Sequence, residues 1–147
     1  MAGSNTGRTL SVAPARPTDV DVVRDGVDAL GRHGRAVPAP YVGELRQLLG
    51  VRLVAYIAGV SETRAVHQWA SGSREIRDHE VADRVRLVYQ VTQLLVSRDS
   101  DKVAQAWFQG LNPKLDDHSP ARLLREGKLA AVGPQVLAAA RAFAALG

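Results

Sequence analysis

One segment, residues 53–72, constrains the fold of this chain more than any other part of the sequence. It has the sequence LVAYIAGVSETRAVHQWASG, in which apolar and small residues recur at helical spacing on both sides of Gly59. Glycine suits the left-handed conformation that ends many helices. Ser61 is placed to cap the next helix by accepting a hydrogen bond from the amide of Thr63 or Arg64. The segment is therefore predicted to form two short helices joined by a tight turn, the arrangement of a helix-turn-helix.

The second of these helices separates its apolar residues from its polar ones. Ala65, Val66 and Trp69 form an apolar stripe, which leaves hydrogen-bonding side chains on the other side. In a helix that enters the DNA major groove, arginine pairs with guanine edges and glutamine with adenine edges. The expected base contacts are Arg64, His67 and Gln68, and the expected phosphate contacts are Thr63, Ser71, Ser73, Arg74 and Arg77. The alternative is an ordinary helical corner, because this geometry also occurs in proteins that bind no DNA.

The composition excludes several kinds of site. There is no cysteine among the 147 residues, so neither a disulfide framework nor a thiolate metal site can form. The four histidines show no two-ligand helical spacing, and we expect no metal and no cofactor. No apolar run approaches the roughly 20 residues that span a bilayer, and the N-terminus lacks the apolar core of a signal peptide. A cytoplasmic protein without a membrane partner is expected.

The charge is mildly basic, with a formal net charge of +4 at pH 7 that is only slightly concentrated around residues 53–72. Most of the cations are arginine, which suits phosphate and guanine contacts. A single module with so few cations makes few phosphate contacts. If DNA is bound, we therefore expect a homodimer that presents two such surfaces to operator DNA.

The first 50 residues divide into four parts. Residues 1–17 are rich in small residues and proline and are expected to form a mobile arm. A capping signature at Thr18 and apolar residues at helical steps up to Leu30 predict a helix, which either folds back onto the core or pairs with a second chain. A linker follows, and Pro40 then opens a helix that Gly50 ends.

The remaining residues predict further helices and an all-α fold. Asp78 begins the longest one, with valines and leucines on one side and polar residues largely on another, among them Asp83, Arg84 and Arg86. Shorter helices are expected after Ser100 or Asp101 and after Ser119-Pro120, the latter ending at Gly127, and Gly133-Pro134 is expected to open the last helix. Trp69 and Trp107 are expected in the core.

The segment AWFQGLNPKLDDHSPARLLREGKLAAV resembles the C-terminal domain of the MbcA/ParS/Xre antitoxins. A tryptophan helix, an Asn-Pro turn, a Ser-Pro-initiated helix with paired leucines, a glycine and a closing helix follow in the family's order. With the Xre-like motif upstream, the resemblance covers about residues 45–147. One departure is that Val66 and Trp69 lie one residue later than in Xre-type motifs, which bears on base-specific DNA binding.

The resemblance implies a type II antitoxin that blocks a RES-type, NAD-degrading toxin through its C-terminal domain and represses its own operon. It implies a helix-turn-helix region at 51–98 with a connecting helix, and a toxin-binding domain at 99–147. The toxin-facing residues would be Arg122, Arg125, Ala139, Arg141, Phe143 and Leu146. Arg141 is the only charged residue of 134–147. It either makes bidentate hydrogen bonds in a phosphate- or carboxylate-binding pocket of the toxin, or is a solvated arginine near a helix C-terminus.

Two alternatives differ in function class. The first is a stand-alone helix-turn-helix regulator or nucleoid-associated protein without a toxin. The second is an enzyme, because Asp116, Asp117, His118 and Ser119 are consecutive. Four such residues before a proline are typical of a turn and a helix cap, and catalysis needs converging geometry, so we expect no enzymatic activity.

Overall fold

The computed structural model describes residues 36–146, and within them it contains seven α-helices, one short 3-10 helix and no strand. The helices are α1 (Ala39–Leu49), α2 (Val51–Ala58), α3 (Thr63–Ser71), α4 (His79–Val96), α5 (Asp101–Gln109), α6 (Pro120–Glu126) and α7 (Leu129–Leu146), with the 3-10 helix Pro113–Leu115 between α5 and α6. The all-α prediction is confirmed for this part of the chain. The predicted arm at 1–17 and the helix predicted after Thr18 lie outside the described residues.

Three helices begin at the capping residues that the sequence predicts. In each, a side-chain oxygen accepts a hydrogen bond from a backbone amide three residues later, which satisfies a donor that the first turn leaves unpaired. The pairs are Asp78 with Val81 at 3.0 Å, Ser100 with Val103 at 3.2 Å, and Ser119 with Arg122 at 3.2 Å. The starts of α4, α5 and α6 are therefore set by local sequence.

The start of α3 differs from its prediction. Glu62 is the residue before the helix, no side chain caps it, and Ser61 lies exposed in the turn. Gly59 adopts φ 84°, and the amides of Gly59 and Val60 both bond to the Ala55 carbonyl at 3.1 Å. This closure of α2 occupies the first residues of the connection, so α3 begins one residue later than a Ser61 cap would allow.

The last helix also differs from its prediction, because α7 begins at Leu129 and Pro134 lies inside it. The amides of Ala131 and Val132 both bond to the Lys128 carbonyl at 2.9 Å, so the first turn closes before the proline is reached. With 18 residues and a mean hydropathy of 1.5, α7 has the length and composition of a membrane span, contrary to the expectation that no segment approaches one. In this structure 39% of it is buried against the other helices.

The buried residues of the seven helices form one apolar cluster within the described part of the chain. Helix α4 packs against α1, α2, α5 and α7, and thereby joins residues on both sides of the boundary predicted at 98/99. Trp69 and Trp107 are 5% and 8% exposed, which confirms them as core residues. The position of α3 is consequently fixed by the same core that holds the C-terminal helices.

Three charged residues of α4, predicted to lie largely on another side than its valines and leucines, are buried. Asp83, Arg84 and Arg86 are 2%, 7% and 8% exposed. Each buried charge has a polar partner, as burial requires. Arg86 pairs with Asp83 at 3.1 Å, and Arg84 donates to the backbone of α2.

Candidate functional site

Helix α3 is attached to the core by one side and exposes the other. Ala65, Val66 and Trp69 are buried, as the apolar stripe predicts, and the helix packs against α1 and α2. Arg64 and His67 are exposed on the outer side. Among the described residues, Arg64 has no hydrogen-bond or ion-pair partner, so its guanidinium is available to a ligand.

His67 is held by an arginine from another helix. Arg46 of α1 places Nη1 2.9 Å from Nδ1 of His67. A guanidinium has only donors, so Nδ1 must be the acceptor, and the ring proton of the neutral imidazole lies on Nε2. Arg46 was not predicted as a functional residue, because 21 residues separate it from His67 and only the packing of α1 on α3 brings the two together.

Gln68 is held in a similar way by the loop after α3. Arg74 donates from Nη1 to the Gln68 side-chain oxygen Oε1 at 3.1 Å. Because arginine offers no acceptor, the amide oxygen must face it, and the amide nitrogen Nε2 is left as the outward group.

The predicted phosphate contacts are divided between two environments. Arg74 and Arg77 are exposed, whereas Thr63 is half-buried as the first residue of α3. The hydroxyls of Ser71 and Ser73 lie 3.1 and 3.4 Å from the Gln68 carbonyl and 3.0 Å from each other. These serines close the C-terminus of α3 together with Gly72, whose φ is 80°.

The corner between α2 and α3 is held from behind by Arg84. Its Nη1 donates to the Ala58 carbonyl at the end of α2 over 2.8 Å, and Nη2 lies 3.9 Å from the Glu80 carboxylate. A positive group at this point also complements the partial negative charge of a helix C-terminus. A side chain at Gly59 would place its Cβ 3.1 Å from Nη1 of Arg84, so the glycine gives the guanidinium room as well as the left-handed turn.

The residues predicted to face a toxin do not share one environment. Arg122 is exposed and pairs with Glu126 at 3.1 Å, while Arg125 lies over the Tyr56 ring, 4.7 Å from its centroid, and donates to the Tyr56 carbonyl at 2.6 Å. On α7, Ala139 is 3% exposed and belongs to the core, so it presents no surface to a partner. The tail residues that remain on the surface are Arg141, Phe143 at 36% exposed, and Leu146 at 87% exposed.

A groove lies beside the Tyr56–Arg125 contact. Its volume is about 460 Å³, and it is lined by Arg52, Leu53, Tyr56, Gln109, Ser119 and Ala121. Helices α2, α5 and α6 each contribute to it, so the groove forms only when the C-terminal helices are packed on α2.

The Asp116 to Ser119 segment is a tight turn. Asp116 and Asp117 have φ of 54° and 60°, the His118 ring lies with Nδ1 3.0 Å from the Leu115 carbonyl, and Ser119 caps α6. In the described residues, no three histidine, cysteine or acidic side chains come together in a way that could hold a metal ion.

A polar cluster links α1 to α4 away from the α3 surface. The Tyr89 hydroxyl donates to Oε1 of Glu44 at 2.9 Å, Gln93 donates to Oε2 at 3.0 Å, and the Tyr41 ring stacks on Tyr89 with centroids 4.0 Å apart. Burial, together with the Glu44 carboxylate, raises the pKa of Tyr89 to about 12. The cluster stabilises the packing of α1, which carries Arg46.

No protein-family model matches this chain, and searches of curated proteins and of solved structures give no match either.

Proposed function

We propose that this protein is a type II antitoxin that binds operator DNA through a helix-turn-helix formed by α2 and α3 and blocks a RES-type, NAD-degrading toxin through α7. It acts in the cytoplasm and is not itself an enzyme. The observation that carries the proposal is the α3 surface, where an arginine, a histidine and a glutamine face outward from a helix whose other side is buried. The resemblance of residues 45–147 to the MbcA/ParS/Xre antitoxins supplies the partner class.

The DNA-binding part of the proposal is supported by the cations around α3. Four arginines lie on or beside it: Arg46, Arg64, Arg74 and Arg77. Arg46 and Arg74 hold His67 and Gln68, two of the three side chains expected to meet bases. Arginine suits both phosphates and base edges. With a net charge of only +4, one chain has few phosphate contacts, so the proposed DNA-binding form is a homodimer on two half-sites.

The toxin-binding part is supported by the last turns of α7. Phe143 and Leu146 expose apolar surface, and Arg141 exposes a charge, while Ala140 and Ala144 on the same helix are buried. Exposed apolar side chains three residues apart on a helix, such as Phe143 and Leu146, are typical of protein interfaces. The proposed toxin contacts on α7 are therefore Phe143 and Leu146 on one side and Arg141 on another, without the buried Ala139. The exposed Arg122 of α6 remains a separate proposed contact.

A second candidate function is a stand-alone DNA-binding regulator without a toxin. One observation favours it: Arg125 is already engaged by Tyr56, and Ala139 is buried, so the surface left for a toxin is smaller than the sequence predicts.

Co-expression with the product of the adjacent gene tests the proposal. If the chain is an antitoxin, a tagged copy pulls down that product and relieves the growth arrest that it causes, and the purified complex shifts a duplex from the operon's promoter. A promoter shift with no toxic neighbour and no complex would favour the stand-alone regulator. An absence of both the shift and the complex would contradict both functions.

A further inference from the structure

We infer that the α3 surface prefers guanine to adenine, because Arg46 occupies the ring-nitrogen acceptor of His67 and Arg74 occupies one of the two lone pairs of the Gln68 amide oxygen. The inference rests on the proposed DNA binding and specifies which base the α3 surface recognises. It replaces the expectation that Gln68 pairs with adenine.

The acceptor of Gln68 is the amide oxygen, and Arg74 holds it at 3.1 Å. A glutamine that recognises adenine must accept a hydrogen bond from the base amino group through this oxygen while its amide nitrogen donates to N7. Oε1 has two lone pairs, and Arg74 takes one of them and places its positive charge beside the other, so the two amide hydrogens are the stronger hydrogen-bonding groups that Gln68 presents to a base.

The acceptor of a neutral His67 is one ring nitrogen, and Arg46 holds Nδ1 at 2.9 Å. Because arginine can only donate, this contact fixes the tautomer with hydrogen on Nε2, which is the nitrogen left to face a ligand. His67 therefore also presents a donor.

Arg64 completes the surface with a guanidinium that has donors only. Three neighbouring side chains of α3 thus offer several hydrogen-bond donors to a major-groove edge, and the second lone pair of Gln68 Oε1 is the one acceptor left among them. Guanine presents two adjacent acceptors there, N7 and O6, whereas adenine pairs an acceptor with a donor and cytosine presents a donor. Guanine is the base that complements this surface.

Selection from a pool of random duplexes with the full chain tests the inference. Wild-type protein is expected to enrich sites with guanines at the positions that α3 contacts. Replacing a contacted guanine by 7-deazaguanine, which lacks the N7 acceptor, is expected to weaken binding about fivefold, the value of one net hydrogen bond.

The variant Arg74→Met releases Oε1 of Gln68. It is expected to lower the ratio of affinities for guanine and adenine at one position of the site by up to about fivefold, because both lone pairs of Oε1 are then free to accept from adenine. Arg77→Met is the matched control, since it removes an equal charge from the same loop, and Arg77 makes no hydrogen bond or ion pair within residues 36–146. The control should weaken both duplexes equally and leave the ratio unchanged.

The outcomes distinguish failure of the guanine preference from failure of operator binding itself. An enriched site that tolerates 7-deazaguanine, or equal base preference in Arg74→Met and Arg77→Met, overturns the inference and leaves DNA binding standing. A wild-type chain that enriches no sequence while retaining its thermal transition overturns the proposed operator binding and the inference together.

Discussion

Arg84 of α4 donates a 2.8 Å hydrogen bond to the carbonyl of Ala58, the last residue of α2, across 26 positions of sequence. Both residues are buried, so the guanidinium is the internal partner of a carbonyl at a helix end that lacks a further helical bond. The bond connects the corner before α3 to α4, which also packs against α7. The angle at which α3 leaves the core therefore depends on a residue outside the corner.

Arg84→Met is expected to destabilise the protein by about 1–3 kcal/mol, because it leaves the Ala58 carbonyl buried without this partner. The midpoint and slope of urea unfolding measure the change. Glu80→Gln is the control: the Glu80 side chain is 58% exposed and 3.9 Å from Arg84, so its loss should have little effect. Equal destabilisation by the two substitutions would show that the ion pair, and not the carbonyl contact, is the important one.

Gly59→Ala is expected to lower the free energy of unfolding, measured by urea unfolding, by about 1–2 kcal/mol. At φ 84° an alanine must adopt the left-handed conformation, which is unfavourable for a residue with a Cβ. The new Cβ also lies 3.1 Å from Nη1 of Arg84, and part of the cost should disappear in the Arg84→Met background. Gly43→Ala is the matched control within α1, where a Cβ meets nothing within 4 Å and replacing glycine in a helix should stabilise. If the two substitutions change the free energy of unfolding equally, the left-handed turn at Gly59 is contradicted.

The helix starts could be predicted from the sequence, whereas the contacts that shape the α3 surface could not. Asp78, Ser100 and Ser119 cap helices through amides three residues away, so the signal and its partner lie in the same short segment. Arg46 and His67 are 21 residues apart, and no local pattern brings them together.

The charged residues of α4 illustrate the same limit. Helical spacing places Asp83 and Arg86 on the polar side of α4, yet both are buried, because α4 packs against four other helices. Arg84 lies three residues after Val81 and four before Val88, so helical spacing places it on the apolar side. Pro134 is a different case: a proline that follows a glycine suggests a helix start, yet the turn at Lys128 had already nucleated α7. Tertiary packing therefore explains the buried charges of α4, whereas local hydrogen bonds to Lys128 explain the early start of α7.

The tyrosine cluster predicts a loss of stability in alkali. The pKa of Tyr89 is raised from 10.0 to about 12, so the fold favours the protonated phenol. The stabilisation that Tyr89 contributes through this shift is fully present below pH 10, and it is lost as the pH rises through the folded-state pKa of about 12. Wild-type protein should therefore lose unfolding free energy more steeply than Tyr89→Phe over this range, as measured by urea unfolding at several pH values. Parallel profiles for the two proteins would contradict the shift.

Arg64→Ala is expected to weaken specific DNA binding by about 1–3 kcal/mol, the usual loss for one good base contact. The measurement is a titration of the operator duplex at fixed salt, with a random duplex to measure nonspecific binding. Arg98→Ala removes an exposed arginine beyond the end of α4 and serves as the control for charge alone. An unchanged footprint for Arg64→Ala at the same salt would exclude Arg64 as a base contact.

The toxin surface is best tested by point substitution, because deletion of residues 134–147 would also remove Val136, Leu137 and Ala140 from the core. Such a deletion is expected to unfold the chain, and its loss of neutralisation would then be uninformative. Leu146→Asp changes a side chain that is 87% exposed, so it should leave the thermal transition in place while abolishing relief of toxin-induced growth arrest. Leu111→Asp is the matched control, since Leu111 is 75% exposed in the connection after α5 and outside the proposed surface. If Leu146→Asp neutralises the toxin as well as Leu111→Asp does, the end of α7 makes no essential contact with it.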